Sequence, residues 1–345
     1  MEPIKVAING FGRIGRLVTR ALLELHSEKG MKIDIVAIND LSSVDMLAHL
    51  FEFDSTHGRA FSHQVTADNK KKQLILAGDS FKVLSIKDPS DLPWKKLDVD
   101  FVIECTGRFR TRKDLQKHLD AGAKRVILSA PSSDVDITLV RGVNMEMYDS
   151  NNHFIISNAS CTTNCLAPVC KVLDDNYGIE HGIMTTVHAA TNDQRLLDSQ
   201  HSDFRRARSA FQSMVPTSTG AAKAIGKVLP KLNGKINGIA IRVPTPNVSL
   251  VDLTVRLSKN ATKEEVQETF RQASISPELK GILGHEWRSL VSIDFNHDPR
   301  SAIVDFPSMM VVEGSLLKIL SWYDNEWGYA MRTAELIHDL KAREN

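Results

Sequence analysis

Ile4-Lys5-Val6-Ala7-Ile8-Asn9-Gly10-Phe11-Gly12-Arg13-Ile14-Gly15 opens the chain and decides how its first half folds. The apolar run Ile4–Ile8 predicts a short buried strand. Leu17, Val18, Ala21, Leu22 and Leu25 then recur at helical spacing from Arg16 onward, which predicts an amphipathic helix. Gly10, Gly12 and Gly15 therefore stand as G-x-G-x-x-G between a strand and a helix, the context that gives this motif meaning. Glycine lets the backbone turn tightly and approach a pyrophosphate, while the free N–H groups of the following helix favour an anion. A second apolar strand, Ile33–Ile38, runs into Asn39-Asp40, which puts an acid where a dinucleotide presents its adenosine ribose.

Working outward, Met46 to Phe53 and Arg112 to Ala121 read as helices, and Phe101–Glu104 and Arg125–Leu128 as buried strands. This alternation predicts a parallel, doubly wound sheet. Residues 64–86 read as antiparallel ribbon with a turn at Gly78-Asp79. The texture changes near residue 160. Leu166, Val169, Cys170 and Leu173 form a helical stripe, with Pro168 either kinking the helix or lying near its start. Gly182–His188, Gly238–Val243 and Val248–Leu257 read as strands of a mostly antiparallel sheet, and Trp327–Leu340 as a final helix.

The chain has 345 residues, 43 Lys and Arg against 42 Asp and Glu, and 42% hydrophobic residues. That length predicts about two domains and a large core. The balanced charge argues against dedicated nucleic-acid binding, and no apolar run of about 18 residues predicts a membrane span. The N-terminus carries no apolar stretch of signal-peptide length, and four cysteines make no disulfide framework, so a reducing cytoplasm is expected.

Those cysteines are Cys105, Cys161, Cys165 and Cys170. Cys161 lies in Ser157-Asn158-Ala159-Ser160-Cys161-Thr162-Thr163-Asn164-Cys165, at the start of the helical stripe. A thiol at a helix N-terminus is expected to have a depressed pKa and to be a nucleophile. The competing readings are a small packed thiol and, more weakly, a Cys-x-x-x-Cys metal pair with no partner pair. Cys165 and Cys170 read as packed thiols. Among 12 histidines, His188 ends an apolar strand and is a candidate base.

The Asn9–Gly15 and Ser157–Cys165 segments, with Leu166-Ala167-Pro168, Thr185-Thr186-Val187-His188, Pro216–Ala224, Arg242-Val243-Pro244-Thr245-Pro246-Asn247 and Ser321–Tyr329, resemble phosphorylating glyceraldehyde-3-phosphate dehydrogenases nearly end to end. The resemblance implies a Rossmann-type, doubly wound α/β dinucleotide-binding domain over 1–160 and an α+β catalytic domain over 161–325. The C-terminal helix, 326–345, would pack back on the first. It implies Cys161 as nucleophile and His188 as its base. Ser160, Thr162, Thr191, Arg206, Thr219, Gly220 and Arg242 would hold D-glyceraldehyde 3-phosphate and inorganic phosphate. Gly10, Gly12, Arg13, Ile14, Gly15, Asp40, Lys87, Ser129 and Asn325 would hold NAD. Lys87 stands where many relatives carry arginine. A homotetramer is the usual assembly of this family.

Residue chemistry points the same way in places. Ser218-Thr219-Gly220 precedes a helix, where hydroxyls and free N–H groups take an anion, and Arg242 ends a strand where a bidentate contact can form. Asp40 would repel the 2′-phosphate of NADP, whereas Ser199-Gln200 replaces the Leu-Pro or Gly-Pro of strictly NAD-dependent relatives. Hence NAD is the expected cofactor with some NADP use. Ser292–Pro299 and Asp193-Gln194 also resemble erythrose-4-phosphate dehydrogenases, a rival reading. A dinucleotide-sensing module without turnover is another, opposed by the presence of both Cys161 and His188.

Overall fold

The computed structural model describes residues 2–60, 65–76 and 79–344. It divides into two compact units. One comprises Met1–Leu139, Glu146–Asn158 and Ala330–Asn345, the other Val140–Met145 and Ala159–Tyr329.

In the first unit, β1 (Ile4–Asn9), β2 (Ile33–Asn39), β3 (Val65–Asp68), β4 (Gln73–Leu76), β5 (Asp79–Leu84), β6 (Phe101–Glu104), β7 (Arg125–Leu128), β8 (Ile137–Thr138) and β9 (Ile155–Ser157) form one sheet. Its order is β3-β4-β5-β2-β1-β6-β7-β9-β8. The central strands are parallel. Every residue of β6, β7 and β9 is buried, as expected of a parallel sheet covered on both faces. The ribbon is β3, β4 and β5, paired antiparallel; Gln64 and Gly78 lie outside the described residues. The helices are α1 (Arg13–Lys29), α2 (Val44–Glu52), the short α3 (Trp94–Leu97) and α4 (Arg112–Asp120). Within this unit the C-terminal segment is fixed by a 2.9 Å bond from Asn158 to Thr333 and a 2.8 Å ion pair from Arg125 to Glu344.

The second unit holds α5 (Cys161–Tyr177), β10 (Ile179–Ala189), β11 (Val215–Ser218), α6 (Ala221–Val228), β12 (Ile236–Val243), β13 (Ser249–Leu257), α7 (Lys263–Ile275), β14 (Leu283–Glu286), β15 (Ala302–Val312) and β16 (Leu316–Tyr323). The last helix, α8 (Trp327–Ala342), starts here and passes into the first unit at Ala330. The sheet runs β11-β12-β10-β13-β16-β15-β14. Its pairs are antiparallel except β10–β12 and β14–β15. The alternating burial of β13 marks a sheet with one face on the core. That core contains the buried stripe of α5, including Leu166, Val169 and Leu173, against Met184, Val251 and Ile319. Pro168 lies inside α5, away from its start, and its missing N–H is accommodated there.

The β10–β12 pair is unusually close at Gly238, where an added Cβ would sit 2.2 Å from the Met184 carbonyl oxygen. Gly238→Ala must push neighbouring backbones apart rather than move a flexible side chain. It is expected to destabilise the protein by about 1–3 kcal/mol, read as a lowered urea midpoint.

Candidate active site

The glycine turn after β1 is built from backbone crowding. Gly10 has φ +91°, and a Cβ there would lie 2.6 Å from the Thr106 nitrogen. A Cβ on Gly15 would lie 2.1 Å from the Gly10 carbonyl oxygen. Gly12 differs: a Cβ there meets nothing within 4 Å, so its missing side chain leaves open space at the mouth of α1. Gly12 is the N-cap of α1 and supplies no capping side chain. An uncapped helix start of this kind suits an outside anion.

Asp40 closes the other side of the turn. Its Oδ2 accepts from the Phe11 N–H at 2.8 Å and its Oδ1 from the Ser42 N–H at 2.9 Å. A carboxylate has about four acceptor positions, so capacity remains. A cleft of about 580 Å³ is lined by Gly10, Gly12, Asp40, Lys87, Thr106 and Arg108 among others. These residues fit a dinucleotide: a helix N-terminus for the phosphates and an acid for the ribose. Arg13 turns instead to Asp54, 3.2 Å away, and Ile14 is half-buried. Ser129 donates its hydroxyl proton to the Glu104 carbonyl at 2.9 Å.

A buried network supports the cleft and was not anticipated from sequence. Glu104, fully buried, accepts from Asn9, from the Thr106 N–H at 2.8 Å and from the Thr106 hydroxyl. It also meets His118 Nε2 at 3.1 Å, while Trp94 donates to His118 Nδ1 at 3.0 Å. Asn39 donates to Asn9 at 2.7 Å. The available signal was an acid ending the apolar run Phe101–Ile103, since a buried carboxylate must find donors.

In the second unit, Ser160 caps α5 by accepting from the Thr163 N–H at 3.1 Å, and Cys161 is the first helical residue. Ala159, just before, is forced to φ +54°. Cys161 Sγ lies 3.5 Å from His188 Nε2. The parallel register of β10 and β12 pairs His188 with Arg242. His188 Nδ1 and Arg242 Nη1 converge on the Ala189 carbonyl oxygen at 2.8 and 3.1 Å, and the two nitrogens touch. With its Nδ1 proton on that carbonyl, the ring presents the Nε2 lone pair to the thiol, the arrangement general base catalysis needs.

The electrostatics correct one sequence expectation. The Cys161 thiol is not held low in the free chain: burial pushes it up, against the opposing pull of Arg242 and of nearby N–H groups. Desolvation of the thiolate outweighs the helix end. Burial, then the Arg242 charge, pushes His188 down to about 3, so the imidazole stands neutral. Cys165 is buried, pushed up to about 12, and its Sγ lies 3.4 Å from the Ser321 hydroxyl, while burial also raises Cys170.

The remaining expected residues are distributed as follows. Thr162 and Thr186 both hydrogen-bond the Tyr323 hydroxyl, at 2.9 and 2.8 Å. Arg206 binds Asp193, Thr217 at 3.0 Å and the Ser218 carbonyl at 3.3 Å. Thr219 accepts from the Ala221 N–H at 3.2 Å, with Gly220 as the N-cap of α6. Gln194 receives the Thr191 N–H at 3.2 Å. Among the described residues no hydrogen bond joins Thr191, Thr219 or Gly220 directly to Cys161 or His188. The Nε of Arg242 is buried without a protein partner. Asn325 accepts from Ser249 at 2.6 Å. Ser249 follows Val248, a β-branched residue at φ +65° that costs on the order of 1–3 kcal/mol in strain.

Residues 4–112 match the family description "Glyceraldehyde 3-phosphate dehydrogenase, NAD binding domain", and residues 160–325 match its C-terminal domain. The chain belongs to the glyceraldehyde-3-phosphate dehydrogenase family. It is 52% identical over 340 residues to the glyceraldehyde-3-phosphate dehydrogenase of Priestia megaterium, covering 99% of each chain. Identity to that of Pseudomonas aeruginosa is 53% over 329 residues, 95% of this chain and 96% of the relative. Identity to that of Geobacillus stearothermophilus is 52% over 333 residues, 96% and 97% of the two chains. The first match contains the glycine turn, Asp40 and Lys87, and the second contains Cys161, His188 and the expected phosphate ligands. Ser129 falls between the two matched segments.

Because Arg242 pulls both Cys161 and His188 downward, Arg242→Leu is expected to move the pH profile of Cys161 alkylation to higher pH. Burial, the larger influence on His188, keeps the imidazole neutral in the variant, so no ion pair compensates. Iodoacetamide kinetics across pH 6–10, a range of about four units around an ordinary thiol, check this.

Proposed function

We propose that the protein oxidises D-glyceraldehyde 3-phosphate with NAD and inorganic phosphate to 1,3-bisphosphoglycerate, through a thioester on Cys161. The observation that carries this reading is the Cys161–His188 pair, 3.5 Å apart at the start of α5 with Arg242 in register beside it. The family membership supports the same chemistry.

His188 Nε2 takes the thiol proton as Cys161 Sγ attacks the aldehyde carbon, forming a hemithioacetal. The Ala189 carbonyl, holding the Nδ1 proton, stabilises the imidazolium that results. The Cys161 backbone N–H, at the start of α5, and the protonated ring can donate to the oxygen that develops charge. A nicotinamide dinucleotide, when bound, supplies the hydride acceptor. Gly10, Gly12, Gly15 and Asp40 would hold it, with Arg13, Ile14, Lys87, Ser129 and Asn325 as further contacts. Cys161 then carries a thioester, whose carbonyl carbon inorganic phosphate attacks, releasing the thiolate. Arg242, Arg206, Ser160, Thr162, Thr191, Thr219 and Gly220 would serve the two anions. The register that sets Arg242 beside His188 supports its share of that role.

The dinucleotide-binding domain is assigned to 1–160 and the catalytic domain to 161–325. A homotetramer is the proposed assembly, supported by apolar side chains exposed on the second sheet, including Ile183 (69%) and Ile239 (48%). Among the described residues no helix is long and apolar enough to cross a membrane. The cytoplasm is the proposed location.

Cys161→Ser is expected to abolish NADH formation with dinucleotide binding retained, since an alcohol is a far weaker nucleophile near neutral pH. Cys165→Ser should keep substantial turnover. Steady-state NADH formation from D-glyceraldehyde 3-phosphate must also require phosphate. Phosphate-independent turnover would instead favour transfer of the acyl group to water. Equal loss in both serine variants, with folding intact, would overturn the assignment.

NAD is expected to be preferred, with measurable NADP use. Asp40→Asn keeps an acceptor for the Phe11 N–H and removes the charge. The ratio of kcat/KM for NADP over NAD should rise about fivefold to tenfold, the scale of one close-range repulsion in water. An unchanged ratio would remove Asp40 from the discrimination.

A further inference from the structure

Beyond the proton-accepting pair, one buried hydroxyl ties together two regions of the second unit that the reaction uses separately. Ser249 is 1% exposed and begins β13, one residue past the Val187–Leu250 pair between β10 and β13. Its Oγ accepts the Ala189 N–H at 3.0 Å and donates to Asn325 Oδ1 at 2.6 Å. That N–H belongs to the His188–Ala189 peptide, part of the backbone from which the imidazole projects. The carbonyl of the next peptide, Ala189 C=O, takes the His188 Nδ1 and Arg242 Nη1 donors, and its Ala190 N–H donates to the Thr245 carbonyl at 3.0 Å.

A hydroxyl has one proton to give. With that proton on Asn325 Oδ1, the Asn325 amide cannot flip without burying an unpaired hydroxyl hydrogen. Its NH2 group is thereby turned away from Ser249. The position of the hydroxyl is over-determined from the preceding residues. Asn247 is clamped by bonds to Asn296 at 2.9 Å and Asp324 at 2.8 Å. Val248 is buried against Phe295 and Ile303, and this packing holds it at φ +65°, where a β-branched residue is otherwise disfavoured. Asp324 also accepts from the backbone N–H groups of His297, Glu326 and Trp327, so the far end of the relay is fixed as well. Strain kept by so many independent contacts marks a position whose geometry is used.

We propose that Ser249 is a positioning residue: its hydroxyl sets the His188–Ala189 peptide, and so the backbone from which the imidazole projects, and, through the same oxygen, the orientation of the Asn325 amide. This deepens the proposed reaction and rests on His188 being the base. Removing the hydroxyl leaves the buried Ala189 N–H without an acceptor and lets the His188–Ala189 peptide turn. The His188 backbone shifts with it, the ring moves relative to the fixed Ala189 carbonyl, and Nε2 is no longer held toward the thiol. The charged or titratable groups facing His188 are Cys161, Arg242 and Tyr323, and all are unchanged in Ser249→Ala.

The test is Ser249→Ala in the full-length protein, with Ser249→Cys, near-isosteric and a weak donor, used in its place if the alanine variant does not fold. Two results are expected together. In the protein without substrate or dinucleotide, the pH profile of Cys161 alkylation by iodoacetamide moves to lower pH, because a neutral Nε2 that accepts the S–H holds the thiol in its protonated form. In turnover, kcat falls about tenfold, the scale of one unsatisfied buried donor, while KM for the aldehyde stays within about twofold. A variant whose alkylation profile overlays the wild type, or whose loss lies in KM alone, overturns the proposal. Failure of the underlying reaction is visible separately, as wild-type turnover that survives Cys161→Ser.

Discussion

Arg242, His188, Ser249 and Tyr323 lie on four neighbouring strands, β12, β10, β13 and β16, and backbone pairing places them in one row. His188 pairs with Arg242 across the parallel seam, and Ser249 pairs with Tyr323 across the antiparallel one. The row is set by ladder hydrogen bonds, which cannot shift by one residue without turning every side chain to the opposite face. Helix α5 then needs only to dock its first turn over this row for Cys161 to meet the imidazole. Tyr323 accepts or donates to both Thr162 and Thr186, joining that first turn to β10. The rest of the site inherits its precision from the sheet.

A dry setting follows from the same packing, and it changes how the chemistry must run. In water, a thiol at a helix end beside an arginine would ionise readily. Here burial opposes charge on both partners, so thiol and imidazole face each other uncharged. Proton transfer then accompanies attack on the aldehyde, when the developing oxyanion and the imidazolium balance each other. Arg242 is at once the charge that disfavours the imidazolium and a ligand for an anion. A bound phosphate would offset that charge and make His188 a better base when there is something to react with.

Much of this was legible in the order of residues because the signals were local. The glycine turn between a strand and a helix, the acid ending β2 and the small polar residues before the stripe of α5 each depend on near neighbours. The roles of Gly10 and Gly15 reduce to backbone contacts that no side chain could share. What escaped was everything set by long-range contact. Glu104 reads as the charged end of a strand until Asn9, Thr106 and His118 arrive from elsewhere to satisfy it. Ser249 reads as a plain strand residue until Ala189 and Asn325 meet at its oxygen. The depressed thiol expected from a helix N-terminus was reversed by desolvation, which depends on the whole core and not on the local pattern.

The parallel seam between β10 and β12 is one of two parallel pairs in a sheet of otherwise antiparallel ones. Joining two parallel strands requires the chain to travel back along its own length, here through residues 190–235. That excursion carries Arg206, Thr219 and Gly220, and within it β11 pairs Val215 with Arg242. Residues added in its loops, outside β11 and α6, leave the pair of side chains opposed, because the ladder and not the connection sets the register. A single insertion inside either strand has no such freedom. Point the guanidinium to the far side of the sheet, and the imidazole keeps its thiol yet loses its charged neighbour. The molecule thus separates what evolution can revise from what it must copy, and the dividing line is the last ladder bond of each strand.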